Sequence, residues 1–242
     1  MEKQVIPILM YHSIQSVPRT EVMRSLHVHP RAFALQMWIL KKLGFRGCSV
    51  SEAIASFMSG STEKLIALTF DDGYENFLTN ALPALNNYGF SATVYAITDL
   101  IGEFNQWDSK NGISRNNLMD YRDLRICVSE GIEVGCHSAT HISLSNQKAD
   151  LVHEIKSAKD TLETNLDVPI KTFCYPYGHF NDRVINFVQQ ALFDSATTMI
   201  RSRATARDNS LALPRIPITW HTMPHLFLAK ILTNYEDKRR NA

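Results

Sequence analysis

LIALTFDDGYENF, residues 65–77, runs six mostly apolar residues into two adjacent aspartates and a glycine. From Leu65 to Phe70 apolar residues do not alternate with polar ones, which is the pattern of a strand covered on both faces, as in a parallel sheet. Asp71, Asp72 and Gly73 can form the turn that ends such a strand, because Asp and Gly tolerate turn dihedrals. Two neighbouring carboxylates repel each other, so the turn also calls for something that neutralises them.

Outward from this stretch the elements alternate. Strands are predicted at 5–12, 45–48, 65–70, 91–97, 132–137, 171–178, 194–200 and 213–219. Helices are predicted at 29–44 (closed by Gly44), from Ser49 or Ser51 to Met58, from Ala81 to Tyr88 (ended by Gly89), and at 121–131, 148–166, 182–193 and 223–235. The polar stretch 102–120 is long for a bare connection and reads as a working loop. Seven or eight βα units follow one another, so the class is α/β with a parallel sheet. A barrel, complete or incomplete, is favoured over an open Rossmann-type sheet, since no Gly-rich nucleotide fingerprint follows the first strand.

Composition sets the bounds. The 242 residues are 45% hydrophobic and 20% charged, and residues 1–242 are read as one domain. A formal net charge of +1 gives no nucleic-acid footprint. The closing EDKRRNA reads as a solvated tail, with weak attraction to a membrane surface as the sharper alternative. No segment reaches the ~18 apolar residues of a bilayer span. No signal-peptide cleavage site is seen, so the expected location is cytoplasmic. Cys48, Cys127, Cys136 and Cys174 form no CxxC pair and read as reduced core thiols.

Functional residues of such sheets gather at the C-terminal ends of strands. Those ends carry His12, the Asp71-Asp72 pair, His137 and His141 in GCHSATH, the YPYG of 175–178, and Arg215. One turn of helical backbone would bring His137 and His141 to one side. Two His and a carboxylate can hold a divalent cation with positions left open, and a second aspartate can then take a proton.

TFDDGY, HSATH and YPYG, with PILMYHSI before and LPRI after, resemble the polysaccharide deacetylase family (NodB-homology domains, carbohydrate esterase family 4), in its exopolysaccharide-deacetylase branch. The likeness runs from about residue 6 to about residue 218. It implies a distorted (β/α) barrel with about seven parallel strands and removal of N-acetyl groups from a saccharide. It further implies Asp71 as catalytic base, Asp72, His137 and His141 as ligands of a divalent metal, usually zinc, and the Tyr177 backbone N–H as oxyanion donor. The chain departs from the family twice. Cys174 stands where many members have an arginine that pairs with the base, and Arg215 is the candidate substitute. No late Leu-x-His motif supplies a general acid, which leaves His221 by position and His12 by its strand end.

Trp107 and Asp108, in the long loop, are candidates for sugar contact, and Tyr74 and Tyr175 for packing around the site. His27, His29, His153 and His225 read as exposed. The expected partner is an N-acetylated saccharide, and a lipid- or nucleotide-linked one suits a chain without an export signal. A catalytically weak glycan-binding domain and a hydrolase of non-sugar amides are the competing readings.

Overall fold

Proline 7 divides the first predicted strand, because it has no N–H for a ladder and its ring fixes φ. The computed structural model describes residues 5–240, without the side chains of 109–111. Residues 5–12 form β1 (Val5–Ile6) and β2 (Ile8–Tyr11). Then come α1 (Pro30–Lys42), β3 (Arg46–Cys48), α2 (Val50–Met58), β4 (Leu65–Phe70), α3 (Leu82–Asn86) and β5 (Thr93–Ala96). The second half holds α4 (Tyr121–Ser129), β6 (Glu133–Cys136), α5 (Ala158–Leu166), β7 (Thr172–Cys174), α6 (Asp182–Gln190), β8 (Ser195–Arg201), β9 (Ala204–Thr205), β10 (Leu213–Pro217) and α7 (Pro224–Leu232).

Seven strands close a ring in the order β2, β4, β5, β6, β7, β8, β10 and back to β2, every pairing parallel. The chain is thus a distorted (β/α) barrel, and the pairings of β2 with both β4 and β10 exclude an open sheet. β3 is an appendage of the ring. It pairs with the first half of β4 (Arg46 opposite Leu65) while β5 takes the second half (Thr93 opposite Thr69). β1 leaves the ring and pairs antiparallel with β9, a two-residue strand that carries no sequence signal.

The strands bury two unlike faces. Outward, Tyr11 stacks on Phe70 at 5.3 Å, and Phe33 and Phe77 meet Phe70 edge-on at 5.7 and 4.8 Å beneath the helices. A second apolar cluster, with Ile8, Leu65, Ala67 and Leu213, fills the N-terminal ends of the strands. Toward their C-terminal ends buried polar groups take over. The Thr197 hydroxyl reaches the Tyr95 hydroxyl at 3.2 Å, and Thr69 and Arg215 are fully buried. Gly135 makes room here, since a β-carbon at that position would lie 2.6 Å from the Tyr95 ring.

Several predicted elements shift. The strand expected to reach 178 ends at Cys174, where Pro176–Gly178 forms a 3₁₀ turn. The helices expected at 81–88 and 148–166 carry wider π-type turns at Phe77–Ala81 and Val152–Ser157. Ser49 is the cap of α2, its hydroxyl accepting from the Glu52 N–H at 3.1 Å. The closing segment is not a solvated tail throughout. Glu236 is fully buried between Arg201 and Lys230, and Asp237 pairs with Arg203 at 2.7 Å. Asn241 and Ala242 lie outside the described residues. All four cysteines are buried and free, and among the described residues no helix is long and apolar enough to cross a membrane.

Candidate active site

Side chains alternate along a strand, so Asp71 and Asp72 should face opposite ways. The backbone cancels that alternation. Asp71 continues β4, its N–H donating to the Tyr11 carbonyl at 3.0 Å, and its carboxylate meets Arg215 over the mouth of the barrel. Asp72 then adopts a left-handed conformation (φ 70°), which turns its carboxylate toward the end of β6. Gly73 is left-handed too (φ 70°), which glycine adopts freely.

His137 follows β6, and the segment to His141 is not the helical turn that the spacing suggested. Ser138 and His141 are both left-handed, at φ 65° and 59°. Glu154, buried at the start of the helical segment before α5, ties this loop down. Its carboxylate accepts from the N–H groups of Ala139 (3.1 Å) and Thr140 (3.0 Å) and from the Thr140 hydroxyl (2.5 Å). The Ser138 hydroxyl accepts from the His141 N–H at 3.0 Å. Non-glycine residues at positive φ cost about 1–3 kcal/mol each and persist where the surroundings impose them. Among the described residues, four of the six such residues, Asp72, Ser138, His141 and Tyr177, stand at this mouth.

Oδ1 of Asp72 lies 3.4 Å from Nε2 of His137 and 3.4 Å from Nε2 of His141. Nδ1 of His137 is 2.8 Å from the Cys174 carbonyl. A carbonyl can only accept, so Nδ1 carries the proton and the Nε2 lone pair faces a carboxylate oxygen. Lone pairs set against an anion require a cation between them, either a proton on each ring or one metal ion. Four-coordinate zinc with bonds of about 2.0–2.1 Å separates its ligand atoms by about 3.4 Å, which fits the observed spacing. Nδ1 of His141 is buried without a partner among the described residues. Burial alone would push the Asp72 carboxyl up, but the two imidazoles hold it well below the usual carboxylate range.

Arg215, fully buried on β10, places all five of its N–H donors. Nη1 and Nη2 reach the two oxygens of Asp71 at 2.6 and 2.8 Å. The others go to the Thr69 hydroxyl (3.0 Å), the Thr198 carbonyl (2.8 Å) and the Cys174 sulfur (3.2 Å). The thiol that stands in the arginine position thus accepts from the arginine that came from elsewhere. Burial pushes the Asp71 carboxyl up, and Arg215, helped by His12, more than offsets it and holds it below its ordinary value.

A cavity of 140 Å³ opens over these groups, lined among others by His12, Asp71, Asp72, Trp107, Asp108 and Tyr177. Nε2 of His12 is 3.8 Å from Oδ2 of Asp71. The Trp107 and Tyr177 rings flank His141 at 4.4 and 4.7 Å. Tyr177 is left-handed (φ 58°), and its N–H has no acceptor among the described residues. Burial and the nearby Asp72 push the Asp108 carboxyl up. Tyr175 lines the cavity with its ring while its hydroxyl donates to the Leu211 carbonyl at 2.8 Å. Tyr74 is buried, its pKa raised well above normal by burial and by Asp72, and it does not line the cavity.

His221 is not brought to this site. The Thr219–Thr222 turn, closed at 2.9 Å, leaves it exposed and packed on Trp220 at 3.7 Å. The Leu-x-His tripeptide at 151–153 puts His153 on the surface, 3.0 Å from Asp99. His27, expected to be exposed, is buried, with its Nδ1 3.3 Å from the Gln15 amide. His29 and His225 are exposed. Glu154 had no sequence signal, being one of several acidic residues in a charged helix.

Residues 59–196 match the family described as polysaccharide deacetylase, and the chain belongs to that family. It is 24% identical over 217 residues to YxkH of Bacillus subtilis strain 168, covering 88% of this chain and 71% of that one. It is also 24% identical over 174 residues to the poly-β-1,6-N-acetyl-D-glucosamine N-deacetylase of Staphylococcus aureus strain N315, spanning 68% of this chain and 58% of that enzyme. Among solved structures, the Streptococcus pyogenes deacetylase PplD in complex with acetate superposes with a TM-score of 0.82 at 27% identity, over 95% of this chain and 99% of that one. BC0361, a polysaccharide deacetylase from Bacillus cereus, gives a TM-score of 0.80 at 26% identity, over 95% of this chain and 69% of that one. Fold and family together define a carbohydrate deacetylase.

Proposed function

We propose that the chain hydrolyses the N-acetyl group of a saccharide with the help of a divalent metal ion. The observation that carries this reading is the pair of 3.4 Å separations from one Asp72 oxygen to the Nε2 atoms of His137 and His141. These three residues would hold the ion, and their two-nitrogen, one-oxygen donor set suits Zn²⁺. Such an ion, when bound, supplies Lewis-acid polarisation of an amide carbonyl and lowers the pKa of water.

The chain's own groups then divide the work. Asp71, kept ionised and aimed by Arg215, takes the proton of the attacking water. The free Tyr177 N–H is the donor to the oxyanion that develops on the acetyl carbonyl. His12, at the cavity wall, is placed to give a proton to the departing sugar nitrogen. The C–N bond breaks, and acetate and a free amine leave. Trp107 offers an aromatic face to the sugar beside Asp108.

The binding-only reading drew on the missing arginine and the missing late histidine, and the Arg215–Asp71 pair speaks against the first of these. Acetate release from N-acetylated oligosaccharides tests the proposal, with Asp71→Asn as control. Loss of turnover in that variant, with metal content unchanged, is the expected result. Equal turnover in the variant would sink it.

A further inference from the structure

Beside the catalytic cavity lies a second one that the deacetylase chemistry does not use. It measures 370 Å³ and is bounded by the C-terminal ends of β2, β8 and β10 and by α7. Met199 lines both cavities, and Met10 of the second stands two residues before His12 of the first. The polar side chains of its lining are Arg201, Lys230, Thr219, Thr222 and Tyr235, with no carboxylate among them. Each of these can donate a hydrogen bond, and two of them carry charge.

The cations outnumber the acid behind them. Glu236, fully buried, is shared: Arg201 holds it through Nε at 2.9 Å and Nη2 at 3.2 Å, and the Lys230 ammonium donates to the same carboxylate. Arg239 lies 3.9 Å over the Tyr235 ring and adds a third positive charge. The neighbouring acid, Asp237, is taken by Arg203. Burial, joined by Arg201 and Arg239, holds the Lys230 pKa below its ordinary 10.5 although Glu236 pulls it up. Donors are left over as well. Nη1 of Arg201 and the hydroxyls of Thr219 and Tyr235 meet no acceptor among the described residues. The Thr222 hydroxyl accepts from the Thr219 N–H at 3.0 Å, which leaves its own proton to donate.

We propose that this second cavity binds a phosphate group, and that the group is carried by the saccharide whose N-acetyl end enters the catalytic cavity. The leftover donors come from β8, from the Thr219–Thr222 turn, from α7 and from the segment after it, so they converge from several directions. That arrangement suits a tetrahedral oxyanion. A carboxylate is met best by one guanidinium fork, and the Nε–Nη2 edge of Arg201 is already committed to Glu236. The substrate class is then an N-acetylated saccharide with a phosphodiester next to the acetylated sugar. This substrate assignment rests on the deacetylase reading, and the phosphate site does not.

The test is titration of the full chain with inorganic phosphate at constant ionic strength, followed by calorimetry and by melting temperature. Binding should saturate and raise the melting temperature. Arg201→Gln, which keeps a hydrogen bond for Glu236, should weaken it about tenfold, and so should Thr219→Val/Tyr235→Phe, which removes only unpartnered hydroxyls. Asp72→Ala should bind phosphate as the unaltered chain does, and glucuronate should not displace it. Acetate release is measured alongside, from an N-acetylated oligosaccharide with a phosphodiester and from its neutral counterpart. The charged substrate should be preferred about tenfold in kcat/KM, and Arg201→Gln should bring that ratio near one. Absence of saturable binding, or affinity unchanged in both the Arg201 and the hydroxyl variants, overturns the site. Binding lost in Asp72→Ala moves the phosphate to the metal cluster and also overturns it, and displacement by glucuronate overturns the choice of phosphate. Equal turnover of the two substrates overturns the substrate class. Phosphate binding without acetate release from either substrate overturns the deacetylase reading, while the site stands.

Discussion

Arg215 and Asp71, 144 residues apart in sequence, meet through two parallel hydrogen bonds of 2.6 and 2.8 Å in the barrel mouth. Paired fork to fork, the carboxylate has one orientation, and its unused lone pairs have a fixed direction. Arg215→Met should lower kcat/KM by about 100-fold through misplacement of that carboxylate. It should also destabilise the fold by about 3–5 kcal/mol, since a buried carboxylate loses its partner. Without Arg215 burial dominates and the Asp71 pKa rises, so the acid limb of kcat/KM should move to higher pH. An unmoved limb would separate Arg215 from the base.

Cys174 and Arg215 share one space. Cys174→Arg should destabilise the chain, because two guanidinium groups cannot occupy the place beside Asp71 without repulsion and overpacking, at a cost of about 1–3 kcal/mol or more. Cys174→Arg combined with Arg215→Ala should recover part of both melting temperature and acetate release. Additive losses in the double variant would show that the two positions are not exchangeable.

Metal content should track the three-residue cluster. The purified chain should carry about one divalent ion, since the three ligand atoms already converge. His137→Ala and Asp72→Ala should lose it by elemental analysis, while Asp71→Asn should keep it and lose about 10²–10⁴ in kcat. Metal retained in His137→Ala would place the ion elsewhere.

Glu154 touches no candidate ligand with its side chain, yet it shapes the backbone between two of them. Glu154→Gln should weaken metal affinity about 10–100-fold while far-UV dichroism stays unchanged. A competition titration with a chromophoric chelator would measure this, and an unchanged affinity would make the capping incidental.

Glu236 supplies a pH dependence away from the site. Burial pushes its carboxyl up, but hydrogen bonds from Arg201 and Lys230 outweigh this and hold it below its ordinary value of 4.5. A depressed folded pKa adds stability that is complete above about 4.5 and is lost as pH falls through the lower folded value. Melting scans from neutral to acid pH should show that loss, and Glu236→Gln should flatten its share of the slope while lowering stability at neutral pH.

The barrel and the roster of its mouth were legible because burial leaves a one-dimensional trace. Leu65–Phe70 is apolar throughout, matching a strand covered on both sides, and reading only strand ends picked out His12, Asp71, Asp72, His137, His141 and Arg215. Conformation left no such trace. Nothing in the residue types of Asp72, Ser138 or His141 announces a left-handed backbone, so the His pair read as a helical turn. Glu154 acts through tertiary contacts with a loop 14 and 15 residues away. His221 and His12 were equal on paper, and the Thr219–Thr222 turn separated them.

Ring closure carries one more consequence. The three-residue cluster comes from the ends of β4 and β6, both formed by the middle of the chain, whereas Arg215 arrives on β10, which docks on β2 to complete the circle. The three clustered side chains therefore belong to the middle of the chain, and the group that aims Asp71 belongs to the last strand of the ring. On the proposed reading, ion binding and the aiming of the base thus draw on different stretches of the polypeptide.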